Sequence, residues 1–195
     1  MNKNEALLKD IRERLSDFRY IHSLGVAESA GYLAEKYGYD KETAITAGLA
    51  HDVLKELSRE EYLKLFETEN IILSDVEKSA PKLWHAMAGA EYLRREYGFP
   101  EEIITAVRYH TTGRADMGLL EKILFIADFI SADRNYNGVE DMRQRAEISL
   151  EYAMEEGLRF TIEELARGCK PIHPDTIACY NEIIVYLSQK GNKYE

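Results

Sequence analysis

Apolar residues recur along the chain at spacings of three and four, and no stretch shows the period-two alternation of a half-buried strand. This spacing predicts helices over 4–15, 19–37, 41–56, 58–68, 84–97, 100–110, 117–131, 139–156 and 174–190. Gly38 and Gly98 each follow a helical run, where a left-handed residue favours termination. Ser58 with Glu61 forms an S-x-x-E capping box, while Pro100 and Pro174 stand at helix starts, where a missing N–H is tolerated. The expected fold is all-α, a helical bundle spanning 1–195 as one domain. Within it lies an echo. His22 opens a helix running to Tyr37-Gly38, and the next helix reaches His51; His85 opens one running to Tyr97-Gly98, and the next reaches His110.

Composition narrows the class. Hydrophobic residues make up 45% of the 195 positions, enough for a buried core. A net charge of −10 argues against a nucleic-acid polymer or an anionic membrane as partner. An anionic small molecule stays compatible, because local cations and metals can invert the field inside a cleft. Cys169 and Cys179 are the only cysteines, with no CxxC pair, so neither a disulfide framework nor a thiolate zinc site is expected. The segment Asn2–Leu15 mixes acids, bases and leucines unlike a secretory signal, and no apolar run approaches the roughly 20 residues of a membrane span. A cytoplasmic setting is expected. Apolar surface allows a homodimer, although no heptad seam demands one.

Six ionisable side chains change the picture. His22, His51, Asp52, His85, His110 and Asp128 all lie in apolar or helical stretches. Asp128 is the sharpest case, inside Ile123–Ile130, the most hydrophobic run of the protein. A carboxylate there must be paired, hydrogen-bonded or metal-bound. Taken singly, each histidine reads more simply as a surface or satisfied core residue; taken together, the six imply a buried metal site. Imidazole and carboxylate ligands without thiolates suit iron, manganese, cobalt or zinc. On the helix expected over 41–56, Ala44, Ala47, Gly48, His51 and Lys55 share a face whose small residues let a neighbouring helix approach closely. Lys55 then overlooks the site and is placed to hold a phosphate oxygen, with Arg19 and Arg134 as further clamps.

The segments Arg19–Val26, Ala50–Lys55, Leu83–Ala86, Arg108–Gly113, Ile126–Ile130 and Pro171–Thr176 with Tyr180-Asn181 carry a resemblance over about residues 15–185. In order they give an H…HD…D pattern that resembles the HD-domain metal-dependent phosphohydrolases. More narrowly, they resemble the YqeK family of symmetrical diadenosine tetraphosphate hydrolases. The resemblance implies an HD-fold helical bundle and cleavage of a dinucleoside polyphosphate into two ADP. It implies iron or a similar ion held by His22, His51, Asp52 and Asp128, with His85 and His110 completing a second metal or contacting phosphate. Asp52, Lys55, His85 and His110 become the expected catalytic residues, Asp52 as ligand first and not as general base. Arg19, His22, Lys55, His85, His110, Thr111, Arg134, His173, Pro174, Asp175, Thr176 and Tyr180 are expected around the nucleotide. In one departure, Ser131-Ala132-Asp133 precedes Arg134 where the family pattern carries Glu-Pro. The competing expectations are an HD phosphohydrolase acting on mono- or triphosphates or a guanosine alarmone, and a non-catalytic nucleotide sensor.

Overall fold

The computed structural model describes residues 3–191. Eleven α-helices follow in order: α1 Lys3–Arg14, α2 Asp17–Tyr37, α3 Lys41–Ala50, α4 Arg59–Thr68, α5 Asp75–Ser79, α6 Trp84–Tyr97, α7 Glu101–Tyr109, α8 Leu119–Ile130, α9 Val139–Ile148, α10 Leu150–Arg167 and α11 Pro174–Gln189. A 3-10 turn at Pro81–Leu83 leads into α6, and the described residues contain no strand. The all-α expectation holds.

The most apolar run of the chain becomes the central helix. Ile123 to Ala127 in α8 are almost wholly inaccessible, and this helix packs against α2, α3, α7, α9 and α10. A continuous apolar cluster joins it to residues from Leu7 in α1 to Ile183 in α11. Burial of such side chains contributes about 1.5–3 kcal/mol each. The hairpins α2–α3 and α6–α7 pack on this core, so the sequence echo corresponds to two helix pairs brought to one place.

Helix ends follow local chemistry. Gly38 and Gly98 take φ of +74° and +54°, closing α2 and α6 in the left-handed region. Ser58 and Glu61 form the expected capping box of α4. Pro100 is the N-cap of α7, and Pro174 sits in the first turn of α11.

Two expected helices are shorter than their periodicity suggested. The one over 41–56 stops at Ala50; beyond it, Val53 N–H donates to Ala50 O at 3.1 Å and Lys55 N–H to Asp52 O at 2.9 Å, tight turns that fold the chain back. The one over 139–156 breaks at Ser149, whose extended backbone (φ −160°, ψ 153°) lets its hydroxyl cap α10 at Tyr152 N–H. Helix α10 then runs through Gly157 to Arg167, past the expected end. Space at Gly157 is tight: a Cβ would lie 3.3 Å from the Phe129 ring and 3.4 Å from the Met142 methyl.

Candidate metal centre and substrate cavity

Four histidines arrive from four helix positions and form a row. Ring centroids are 5.3 Å apart for His22 and His51, 5.1 Å for His51 and His110, and 5.0 Å for His110 and His85. Backbone packing sets this spacing. A Cβ at Gly48 would fall 2.5 Å from the Ala27 Cα, so α3 rests directly on the α2 backbone and carries His51 beside His22. Trp84, buried against Tyr62 and Phe66, donates from Nε1 to Glu77 O at 2.7 Å and anchors the start of α6, next to His85.

Every Nδ1 in the row is taken. His51 Nδ1 lies 2.7 Å from Gly48 O, His85 Nδ1 2.8 Å from Lys82 O, His110 Nδ1 2.7 Å from Val107 O, and His22 Nδ1 2.8 Å from Asp133 Oδ2. Carbonyl and carboxylate oxygens only accept, so each Nδ1 is held as an N–H donor, which leaves Nε2 as the nitrogen able to ligate an ion when the imidazole is neutral. These Nε2 atoms converge with two carboxylates. Asp52 Oδ1 lies 3.2 Å from His85 Nε2 and 3.6 Å from His110 Nε2, and Asp52 Oδ2 is 3.5 Å from His51 Nε2. Asp128 Oδ1 lies 3.0 Å from His22 Nε2.

Such a cluster is rich in acceptors and short of donors. The His85 and His110 Nε2 atoms face each other at 3.1 Å, while buried His51 Nε2 and Asp52 Oδ1 have no hydrogen-bond partner. A cation resolves that deficit. The sets His22–His51–Asp128 and His51–Asp52–His110 each bring their ligand atoms within 4.8 Å of one another, sharing His51. The residues fit a divalent transition metal, with N and O donors alone.

Electrostatics point the same way. Burial alone would raise the Asp52 carboxyl, yet His51, His110 and His85 hold it well below the usual carboxylate range. Asp128 is likewise held low against burial by His22, His51 and Arg134. Burial pushes His85 down to about 4, Lys55 adding to it and Asp52 opposing, and burial also lowers His110. His51 moves the other way, the Asp52 and Asp128 carboxylates outweighing its burial. The centre therefore attracts positive charge at the point where the two triads meet.

Cations rim it. Lys55 Nζ lies 2.9 Å from His85 Nε2 and 3.2 Å from Asp52 Oδ1, brought there by the turn after Ala50 and not by a continuing helix. Arg19 Nη1 is 3.5 Å from Asp52 Oδ2. Arg134 Nε donates to Asp128 O at 2.8 Å, and its Nη2 pairs with Asp128 Oδ1. Asp128 is not sealed in the core: its side chain keeps 21% exposure at the edge of α8, and pairing satisfies its charge.

Beside Lys55 and His85 opens a cavity of about 540 Å³. Its walls are the turn Ser79–Leu83, Thr161, Glu164 and Leu165 of α10, and Lys170, Pro171, His173 and Thr176. Thr111 and Thr112 also line it, and their hydroxyls are buried without a partner. Among the expected nucleotide contacts, Lys55, His85, Thr111, His173 and Thr176 thus meet at this cavity. Arg19, His22, His110 and Arg134 stand at the metal centre. Pro174, Asp175 and Tyr180 are outside the lining: Pro174 starts α11, Asp175 Oδ2 lies 3.5 Å from His173 Nδ1, and Tyr180 packs on the core.

Two residues here escaped sequence reasoning. Asp133 holds His22, and buried Glu77 lies 3.0 Å from Arg108 Nη2 and 3.5 Å from His173 Nε2. Ser74-x-x-Glu77 is a capping box readable in the chain, whereas nothing local announces the partner of His22.

Comparison with known proteins places this geometry. The HD domain family matches residues 19–133. The symmetrical bis(5'-nucleosyl)-tetraphosphatase of Bacillus subtilis (strain 168) is 37% identical, over 94% of this chain and 98% of that protein. Its counterpart from Halalkalibacterium halodurans is 40% identical over 97% and 100% of the two chains. The crystal structure of a protein from Clostridium acetobutylicum, described as a predicted HD superfamily hydrolase involved in NAD metabolism, superposes with a TM-score of 0.90 at 34% identity, covering 94% of this chain and 97% of that one. The histidine–aspartate cluster, the helical scaffold and these relatives agree: this chain belongs to the HD-domain family and, within it, groups with the symmetrical bis(5'-nucleosyl)-tetraphosphatases.

Proposed function

We propose that this chain hydrolyses diadenosine tetraphosphate symmetrically, releasing two ADP. The observation that carries it is an acceptor-only His/Asp cluster, rimmed by Lys55, Arg19 and Arg134, opening into a cavity large enough for a nucleoside. We assign His22, His51, Asp52 and Asp128 as ligands of a divalent metal, with His85 and His110 serving a second ion or the phosphates. Iron heads the candidates; manganese, cobalt and zinc share its taste for these donors. A bound ion supplies Lewis acidity, activating water near neutral pH and polarising a phosphoryl oxygen.

The side chains do the rest. Lys55 and Arg19 neutralise phosphate oxygens next to Asp52, and Arg134 does so next to Asp128. The water oxygen bonds to the second phosphorus as the bond to the bridging oxygen breaks, and that oxygen leaves with the other ADP. The proton released by the water passes to solvent. Charge on the leaving diphosphate is met by cations already in place, the main route to phosphoryl-transfer catalysis. Where no second ion takes its Nε2, His85, neutral at pH 7, accepts from Lys55 and steers its ammonium towards the phosphates. Thr111, Thr112, His173 and Thr176 supply polar contacts along the cavity, and Pro81, Leu83, Leu165 and Pro171 an apolar wall for a base.

This reading carries with it a cytoplasmic setting, where such nucleotides arise. A second copy of the chain is the proposed partner; exposed Phe18 and Ile21 of α2 are apolar surface it would cover, and sedimentation equilibrium decides it. Turnover across a nucleotide panel tests the function. Diadenosine tetraphosphate should be the best substrate, and Lys55→Ala should lower kcat/KM by about 10²-fold with metal content unchanged. A guanosine alarmone turned over faster than the dinucleotide would replace this reading.

A further inference from the structure

Three of the four histidines obtain their Nδ1 partner locally, from the carbonyl three residues back: Gly48 for His51, Lys82 for His85 and Val107 for His110. They can do so because they stand at helix ends. His51 and His110 are the C-caps of α3 and α7, where the last carbonyls lack intrahelical partners, and His85 follows the 3-10 turn into α6. His22 lies inside α2, where the preceding carbonyls are engaged in i→i−4 bonds. Its partner must come from elsewhere, and it comes from Asp133, 111 positions away.

We propose that Asp133 is a positioning residue of the metal centre, fixing the His22 ring through Nδ1–H and so aiming Nε2 at the ion. The inference rests on the metal-centre reading above. Asp133 Oδ2 meets His22 on the far side of the ring from Nε2, so the carboxylate orients a ligand without being one. A carboxylate on the outer nitrogen also makes an imidazole a stronger donor than a neutral carbonyl does.

The seat is built for this contact. A Cβ on Gly25, one turn beyond His22, would stand 3.2 Å from Asp133 Oδ1, so glycine leaves the slot open. The loop that carries Asp133 is stitched down by Arg143, whose guanidinium donates to Ile130 O at 3.1 Å, Ser131 O at 2.9 Å and Arg134 O at 3.2 Å. Its next residue, Arg134, grips Asp128. One clamped loop therefore orients two members of the His22–His51–Asp128 set. The Glu-Pro expected before Arg134 is replaced here by the segment that supplies this carboxylate.

The test is Mn²⁺ affinity of the full chain by titration calorimetry, with no turnover required. Asp133→Ala should bind Mn²⁺ about 10–100-fold more weakly than the unaltered protein. Asp133→Asn, which keeps an acceptor but not the charge, should fall between. Co²⁺-loaded protein should show altered visible absorption bands in both variants, a signature that a merely structural role for Asp133 leaves unmoved. Mn²⁺ affinity within about threefold of the unaltered protein in Asp133→Ala would overturn the proposal. If that variant does not fold, Asp133→Asn decides: several-fold weaker binding supports the proposal, and unchanged binding overturns it. An unaltered protein that binds no Mn²⁺ would instead sink the metal-centre reading itself.

Discussion

Asp52 is in reach of more of the centre than any other side chain: His51, His85, His110, Lys55 and Arg19 all lie within 3.6 Å of its carboxylate. It is 2% exposed, so its charge is sustained by those partners and by whatever cation joins them. Asp52→Ala should therefore empty the centre of metal and lower turnover by three orders of magnitude or more, an order-of-magnitude expectation for removing a ligand and its charge together. Metal analysis beside a rate measurement checks it, and a metal-replete, fully active variant would refute the ligand assignment. Away from the site, burial pushes the Cys179 thiol up to about 11. The folded chain keeps a proton there that the unfolded chain loses, so this contribution is whole below about pH 9 and drains away as pH rises toward about 11. At pH 8 a thiol reagent should label exposed Cys169 and leave Cys179 untouched until denaturant is added. The six centre residues were legible from sequence because ionisable groups in apolar helices need a reason. Asp133 was not, since it sits in a polar loop and gains meaning only from a contact across 111 positions.

Helices α2 and α3 set the geometry of the centre through one close approach. Gly48→Ala would drive a methyl into the Ala27 backbone, where no side-chain rotation can relieve it. Overpacking of this kind costs about 1–3 kcal/mol, and here it also moves His51 away from His22. A melting curve should show the destabilisation, and a metal titration should show weaker binding than in the unaltered protein. Periodicity located both helices and even the small-residue face, but not the end of α3. Apolar spacing continues through Val53 and Leu54, both buried, although the backbone has already turned. The turn that follows is held by a tertiary contact: the Tyr62 hydroxyl donates to Leu54 O, and Lys55 returns to Asp52. The break at Ser149 had a visible signal, a capping residue, that a continuous hydrophobic pattern masked. Gly157, one residue past the expected helix end, lies inside α10 and faces Phe129.

At the scale of the whole molecule, net charge and local charge oppose each other. The chain carries −10 overall, yet Lys55, Arg19 and Arg134 gather around the Asp52 and Asp128 carboxylates. An anionic substrate is drawn by the local field and screened by salt, so kcat/KM should fall as ionic strength rises past the point where the Debye length drops to about 8 Å. The assigned ligands come from α2, the end of α3 with the turn after it, and α8, so metal binding should stabilise the bundle as one unit. At a free ion concentration of 100 times Kd the gain is about 2.7 kcal/mol, read as a raised Tm that a chelator reverses. The helical bundle and the clustering of buried histidines and aspartates were open to sequence reasoning because burial and charge are local properties of the chain. Part of the cavity was anticipated through Lys55, His85, Thr111, His173 and Thr176, but the walls from α10 and the Ser79–Leu83 turn were not, because they meet the rest only in the fold. The measurement that tests the account most directly is product identity: metal-supplemented protein is given diadenosine tetraphosphate and the nucleotides are resolved by ion-exchange chromatography. ADP as the sole product is the predicted result, and ATP with AMP, or no turnover with any of the four metals, would contradict it.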